Sequence, residues 1–189
     1  MSPIILLACF SVLTFPFTTF AQEKSAATAP PTLLEGFLAK TGSIVVKDFH
    51  SLGEIPKVFG EMSLETLILY EPGKEPQRVR GLRVQVEGPP PGQRSGIAFL
   101  DMDEVEALSR GLDYMIKLAS FWAGKPREYT EVIYHTKGDL EVGFYVKDNR
   151  LKGFAKAGRI GAVTAYLEVD SMRTFKEKVD EGFAYLKGH

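Results

Sequence analysis

Apolar and polar residues alternate strictly from Leu82 to Glu87: Leu82, Val84 and Val86 lie on one side, Arg83 and Gln85 on the other. A period of two predicts a half-buried strand, which extends back to residue 77. Shorter apolar runs predict strands at 43–49, 64–70 and 96–100. The period then changes. Val105, Leu108, Leu112, Met115, Ile116 and Ala119 recur at helical spacing, so a helix is predicted from Asp103, with Glu106 as its capping-box partner and Gly124 and Pro126 at its end. The same order follows again, with strands at 129–136, 140–146, 151–155 and 160–167. A last helix is capped by Asp170 and carries the stripe Met172, Phe175, Val179, Phe183 and Leu186. Ahead of all this, Leu33, Leu34, Phe37 and Leu38 predict a short amphipathic helix over 32–40, ended by Gly42. Residues 50–61 read as a connection, and Glu71-Pro72-Gly73-Lys74, Gly88–Gly92, Lys137-Gly138-Asp139 and Asp148-Asn149 read as turns or loops.

The two runs of strands and helix are related in sequence. Ala98-Phe99-Leu100-Asp101-Met102-Asp103 matches Ala165-Tyr166-Leu167-Glu168-Val169-Asp170. Continuing in step, Val105 falls on Met172, Leu108 on Phe175, Leu112 on Val179 and Ile116 on Phe183. Consecutive short strands joined by tight turns pair antiparallel. The expected fold is therefore α+β: two ββββα repeats, about 43–122 and 128–187, with antiparallel sheets each packed by one C-terminal helix, inside a single domain spanning 33–189.

Residues 1–21 carry no charged side chain. An apolar run ends at Thr19-Phe20-Ala21, before the polar Gln22-Glu23-Lys24. This is the pattern of a cleaved secretory signal peptide over 1–21, and it places the protein outside the cytoplasm, either periplasmic or secreted. A membrane anchor is the competing reading. About 20 unbroken apolar residues would be needed to span, and Pro16, Thr18 and Thr19 interrupt the run. Leu6-Leu7-Ala8-Cys9 resembles a lipobox, the site at which bacterial lipoproteins are cut and acylated. Residues 22–32, rich in Ala, Thr, Pro and Lys, read as a flexible tether. Cleavage after Ala21 would remove the single cysteine, and with it any disulfide, thiol nucleophile or zinc-thiolate site.

A formal net charge of −1 gives no whole-molecule field towards nucleic acid or an anionic membrane. A hydrophobic content of 44% suits a globular domain that holds itself together by its core.

The order of elements over about residues 43–187 resembles the Whirly family of single-stranded-DNA-binding proteins and the Pur-type repeats, both of which repeat a four-strand-plus-helix unit. The resemblance implies a Whirly-like fold and carries over no functional residue. The sequence is also similar to uncharacterised exported bacterial proteins, which implies location and no activity. An exported protein meets little intracellular nucleic acid, so nucleic acid is not the expected partner.

Three histidines are present, His50, His135 and His189, none at a metal-binding spacing. His135 enters a hairpin at which Asp139 would have to fold back to orient it as a base; a polar hairpin tip accounts for it, and His189 is expected to fray. Asp101, Asp103, Glu104 and Glu106 would serve a metal, but they sit where a helix dipole favours negative charge, as do Glu168 and Asp170. Capping accounts for both groups. No phosphate loop or nucleophile elbow is present, and no catalytic, metal or cofactor residue is assigned.

One basic stretch remains. Lys147, Arg150, Lys152, Lys156 and Arg159 lie close together, with Phe154 among them. On a strand, Arg150, Lys152, Phe154 and Lys156 point to one side. That face suits a polyanion or an acidic protein partner, with Arg150, Lys152, Phe154, Lys156 and Arg159 as the ligand-binding residues; the competing reading is a solvated sheet surface. The expected function is an exported, non-enzymatic binding domain. The alternatives are a hydrolase-like enzyme, which a deep polar pocket at His135 would favour, and a structural envelope-associated protein. The oligomeric state is left open.

Overall fold

The computed structural model describes residues 32–56, 59–91 and 94–189. The expected signal peptide, Cys9 and all of the tether but Thr32 lie outside these residues. Thr32 is buried and is the N-cap of helix α1 (Leu33–Leu38); its hydroxyl oxygen accepts the N–H of Glu35 at 3.1 Å.

The strands form two four-stranded antiparallel sheets. β1 (Val46–Glu54), β2 (Glu61–Tyr70), β3 (Val79–Glu87) and β4 (Ser95–Asp101) pair in chain order in the first. β5 (Tyr129–His135), β6 (Leu140–Lys147), β7 (Arg150–Ala157) and β8 (Val163–Leu167) do the same in the second. Each sheet is followed by a helix, α2 (Met102–Trp122) and α3 (Ser171–Gly188). The fold is α+β, built of two ββββα units, as the periodicities predict. Among the described residues, no helix is long and apolar enough to cross a membrane.

The predicted stripes are the buried ones. Val105, Leu108, Leu112, Met115, Ile116 and Ala119 of α2, and Met172, Phe175, Val179 and Leu186 of α3, join one cluster with Leu64, Leu82, Val84, Ala98, Val142 and Phe144 from the sheets. The repeat predicts that each helix keeps to its own sheet; instead the helices pack across the repeat boundary. α3 rests on β1, β2 and β3 of the first sheet, and α2 reaches β3 and β4 as well as β5 and β6. Glycines mark the closest approaches. A Cβ on Gly182 of α3 would stand 2.7 Å from side-chain carbons of Leu52 and Leu82, and one on Gly111 of α2 would stand 2.7 Å from the Tyr134 ring. Ser109 of α2 donates to Asp180 of α3 at 2.5 Å, which fixes the two helices against each other.

Several boundaries differ from the sequence reading, for identifiable reasons. β1 does not stop near residue 49. It continues through a bulge between Ser51 and Gly53 because β2 starts early enough, at Glu61, to pair with it. Leu52 and Ile55, expected in a connection, are therefore core residues. α2 begins at Met102 rather than Asp103, and the expected capping partner Glu106 instead holds Arg110 at 2.8 Å. Asp170 makes no side-chain cap on α3; its own backbone is already helical, not in the extended conformation that lets an N-cap side chain reach back. His189 is not frayed. Its ring stacks on Tyr185 at 4.1 Å, and Tyr185 stacks on His50 at 4.2 Å. Ile160, placed in a strand by its sequence, lies in the connection before β8 and is exposed.

Candidate functional site

Each sheet turns one face to the common core and the other outward, and the two outward faces differ. On the first sheet, α1 covers part of the face: Leu34 and Phe37 pack on Leu67 and Leu69. The rest is mixed: Phe49 and Ile97 stand exposed on it, and its central polar groups pair with one another. Arg83 holds Glu65 at 2.8 Å and donates to Gln85 at 2.6 Å.

The second sheet's outer face carries no covering helix among the described residues. Register fixes what stands on it. Alternation along β6 places Tyr145 and Lys147 outward, while Val142, Phe144 and Val146 go to the core. Their cross-strand partners follow: Tyr145 lies beside Glu131 and Lys152, Lys147 beside Tyr129 and Arg150, and Phe154 beside Tyr166. The result is an aromatic row, with Tyr129 and Tyr145 at 6.3 Å and Tyr145 and Phe154 at 6.4 Å between ring centroids. Tyr129 donates its hydroxyl to Glu131; that bond, ahead of desolvation, pushes the phenol pKa up. Phe59, from the β1–β2 connection, pairs with the edge of β8 through two backbone bonds to Tyr166, at 2.8 and 3.2 Å, and adds a ring to the row.

Lys147 and Arg150 flank a two-residue turn in which Asp148 and Asn149 both have positive φ, 50° and 63°. This tight hairpin sets two cations directly opposite each other. Like charges in that position destabilise a strand pair. Among the described residues, Lys147, Arg150 and Lys152 have no ion pair and no side-chain hydrogen bond.

The five residues singled out in the sequence are not equivalent. Arg150, Lys152, Phe154 and Lys156 share the outer face, as alternation requires. Phe154 is only 9% exposed, so it lies under the tyrosines rather than offering a free ring. Lys156 is bound to Glu141 at 2.9 Å. Arg159 leaves the sheet and pairs with Asp139 at 2.8 Å across the turn. Tyr129, Tyr145, Tyr166 and Phe59 went unmarked in the sequence because they belong to other strands; only register brings them to β7.

A groove of about 650 Å³ opens where β8 ends at Leu167 while β7 runs on to Arg150. It is lined by Phe59, Tyr145, Arg150, Lys152, Tyr166 and Glu168, with Leu151 and Leu167 beside them. A shallower depression of about 350 Å³ continues over Tyr129, Lys147 and Phe154. Rings, unpaired cations and one carboxylate at the end suit a ligand with both apolar and anionic groups.

The other candidates are used structurally. Asp139, the orienting carboxylate that His135 would require, is held by Arg159, and His135 is exposed on the sheet face. The acidic cluster ties parts of the chain together rather than ligating: Asp101 accepts the N–H groups of Leu33 and Leu34, Asp103 pairs with Lys137 at 2.7 Å, and Glu104 accepts the Lys137 N–H at 2.6 Å. Among the described residues, no three His, Cys, Asp or Glu side chains gather as a metal site.

Comparison with family models, curated proteins and solved structures gives no match.

Proposed function

We propose that this chain is an exported, non-enzymatic binding domain that holds an anionic partner against the outer face of its second sheet. The observation that carries the reading is the facing pair Lys147 and Arg150, with Lys152 beside them, all without an ion pair among the described residues and set among Tyr129, Tyr145 and Tyr166. By contrast, Arg83 and Lys156 on the two faces, and Arg159 just beyond the second, each have an acidic neighbour. An anionic partner would offset the repulsion that the hairpin imposes. Tyrosine faces add contact area and stacking at low entropic cost. The order of elements supports the Whirly-like reading of the fold, and the uncharged apolar residues 1–21 support export.

The test is a binding titration against heparin, an acidic polysaccharide and single-stranded DNA at two salt concentrations. Binding should weaken steeply with salt, since the screening length shrinks to about 8 Å at physiological ionic strength. Replacing Lys147, Arg150 and Lys152 together by Ser should reduce affinity about tenfold or more, a loss of about 1.4 kcal/mol or more, while Lys156→Ser changes it little. If none of the three binds at low salt, or the triple variant binds as before, the face is a solvated surface and the reading fails.

A further inference from the structure

The groove beside Glu168 is the second repeat's counterpart of the surface on which α1 sits in the first. Sequence alignment of the repeats sets Phe99 on Tyr166, Leu100 on Leu167 and Asp101 on Glu168. Sheet register carries the match across the neighbouring strands. Leu82 opposes Leu100 as Gly153 opposes Leu167, so Gly81 corresponds to Lys152 and Val79 to Arg150. One strand further, Leu67 opposes Gly81 as Tyr145 opposes Lys152, and Leu69 opposes Val79 as Lys147 opposes Arg150.

In the first repeat this surface is occupied. Leu34 and Phe37 of α1 pack on Leu67 and Leu69, with Val79 and Phe99 at the edge. Asp101 accepts the first two helical N–H groups, of Leu33 at 2.7 Å and Leu34 at 3.1 Å, which places a carboxylate at the positive end of the helix. The equivalent groove keeps two of these features. Tyr145 and Tyr166 supply an apolar floor, and Glu168 is exposed at the end where Asp101 would be. It differs in one consistent way. Leu69, Val79 and Gly81 are replaced by Lys147, Arg150 and Lys152, three cations without ion-pair partners among the described residues.

We propose that this groove receives a short, acidic, amphipathic helix from a protein partner, its N-terminus at Glu168 and its C-terminal half over Lys147 and Arg150. The proposal rests on the binding-face reading above and names its partner. The direction is that of α1, whose N-terminus lies at Asp101 and whose Lys40 lies by Glu71, just past the end of β2. It sets the negative end of the helix dipole against two cations. Acidity of the partner follows from the three substitutions, because an apolar helix like α1 would bury unpaired charge there. Lys152 stands where Gly81 lets Leu34 approach closely, so the guest helix rides higher than α1, with the lysine stem along its flank.

The probe is a stapled peptide of about twelve residues, because shorter free helices are marginal in water. It carries Ser at its N-cap, Leu and Phe three positions apart as in α1, and Glu at the other groove-facing positions. A scrambled peptide of equal charge is the control. On the full chain, the ordered peptide should bind about tenfold more tightly than the scrambled one, a difference of about 1.4 kcal/mol. Glu168→Ala should weaken it about fivefold, as loss of a helix-terminal acceptor does. The same variant should leave heparin binding unchanged or tighter, because it removes a negative charge. Tyr166→Ala should weaken the ordered peptide and not the scrambled one. Three results would overturn the proposal: equal affinity for the two peptides, a Glu168→Ala variant that binds the ordered peptide as before, or a self-association without peptide that Tyr166→Ala abolishes, which would make a second copy the occupant. If heparin binds but the ordered peptide has no advantage, the face reading stands and the groove reading falls. If neither binds, both fall.

Discussion

The carboxylate of Asp101 accepts the backbone N–H of Leu33 at 2.7 Å, tying helix α1 to the end of a strand 68 residues later. Asp101 itself precedes α2 as its N-cap, yet makes no side-chain bond to that helix. One carboxylate thus serves the neighbour in space rather than the neighbour in sequence. Its position keeps α1 on the first sheet, and among the described residues no helix covers the matching surface of the second.

Asp101→Ala should free the start of α1. Hydrogen bonds to a charged group contribute about 1.5–3 kcal/mol, so global stability should fall within that range and the amides of Leu33 and Leu34 should exchange faster than those of α2. Denaturant titration with hydrogen exchange checks both. Unchanged exchange in α1 would mean that Leu34 and Phe37 alone hold it.

Phe175 is fully buried between α3 and the sheets. Phe175→Ala should cost about 3–5 kcal/mol, a cavity-forming loss that urea unfolding would register directly. A change below about 0.5 kcal/mol is what an exposed site gives and would contradict the packing described.

Glu104 is buried at the junction of α2 and the β5–β6 turn, with one carboxylate oxygen on the Lys137 N–H and the other without a partner. Burial pushes its pKa up, against the opposing pull of the Lys137 N–H and charge and of the Asp101 backbone; the Asp101 carboxylate charge adds a smaller push upward. A carboxyl whose folded pKa exceeds its unfolded value makes the native state bind more protons, so stability falls as pH climbs from the unfolded value of about 4.3 towards the folded one. Glu104→Gln removes that dependence. Relative to the native chain, the variant should gain stability between about pH 4 and pH 7. Urea midpoints of both proteins across that range decide it, and a constant difference would show that Glu104 titrates as it does when unfolded.

Export predicts a processed chain. Mass spectrometry of protein recovered from its native host should find an N-terminus near Gln22. An intact Met1 or an acylated Cys9 would contradict cleavage after Ala21.

Much of the architecture is legible in one dimension. Strands and helices are local periodicities: the alternation from Leu82 to Val86 and the stripe from Val105 to Ala119 commit their faces before any partner is specified. The repeat, the tight Asp148-Asn149 hairpin and the shared side of Arg150, Lys152, Phe154 and Lys156 follow from the same local geometry. The remainder depends on which element meets which. Capping of α1 by Asp101, the rest of α3 on the first sheet, and the extension of β1 to Glu54 are contacts between residues distant in sequence. The binding face divides in the same way. Its cations lie within one stretch of chain, but its tyrosines come from β5, β6 and β8, and its neutralised members, Lys156 and Arg159, are known only from the acids beside them. Residue type and period are properties of the sequence; whether a charge is paired, or a groove filled, is decided by what folding brings within a few ångströms of it.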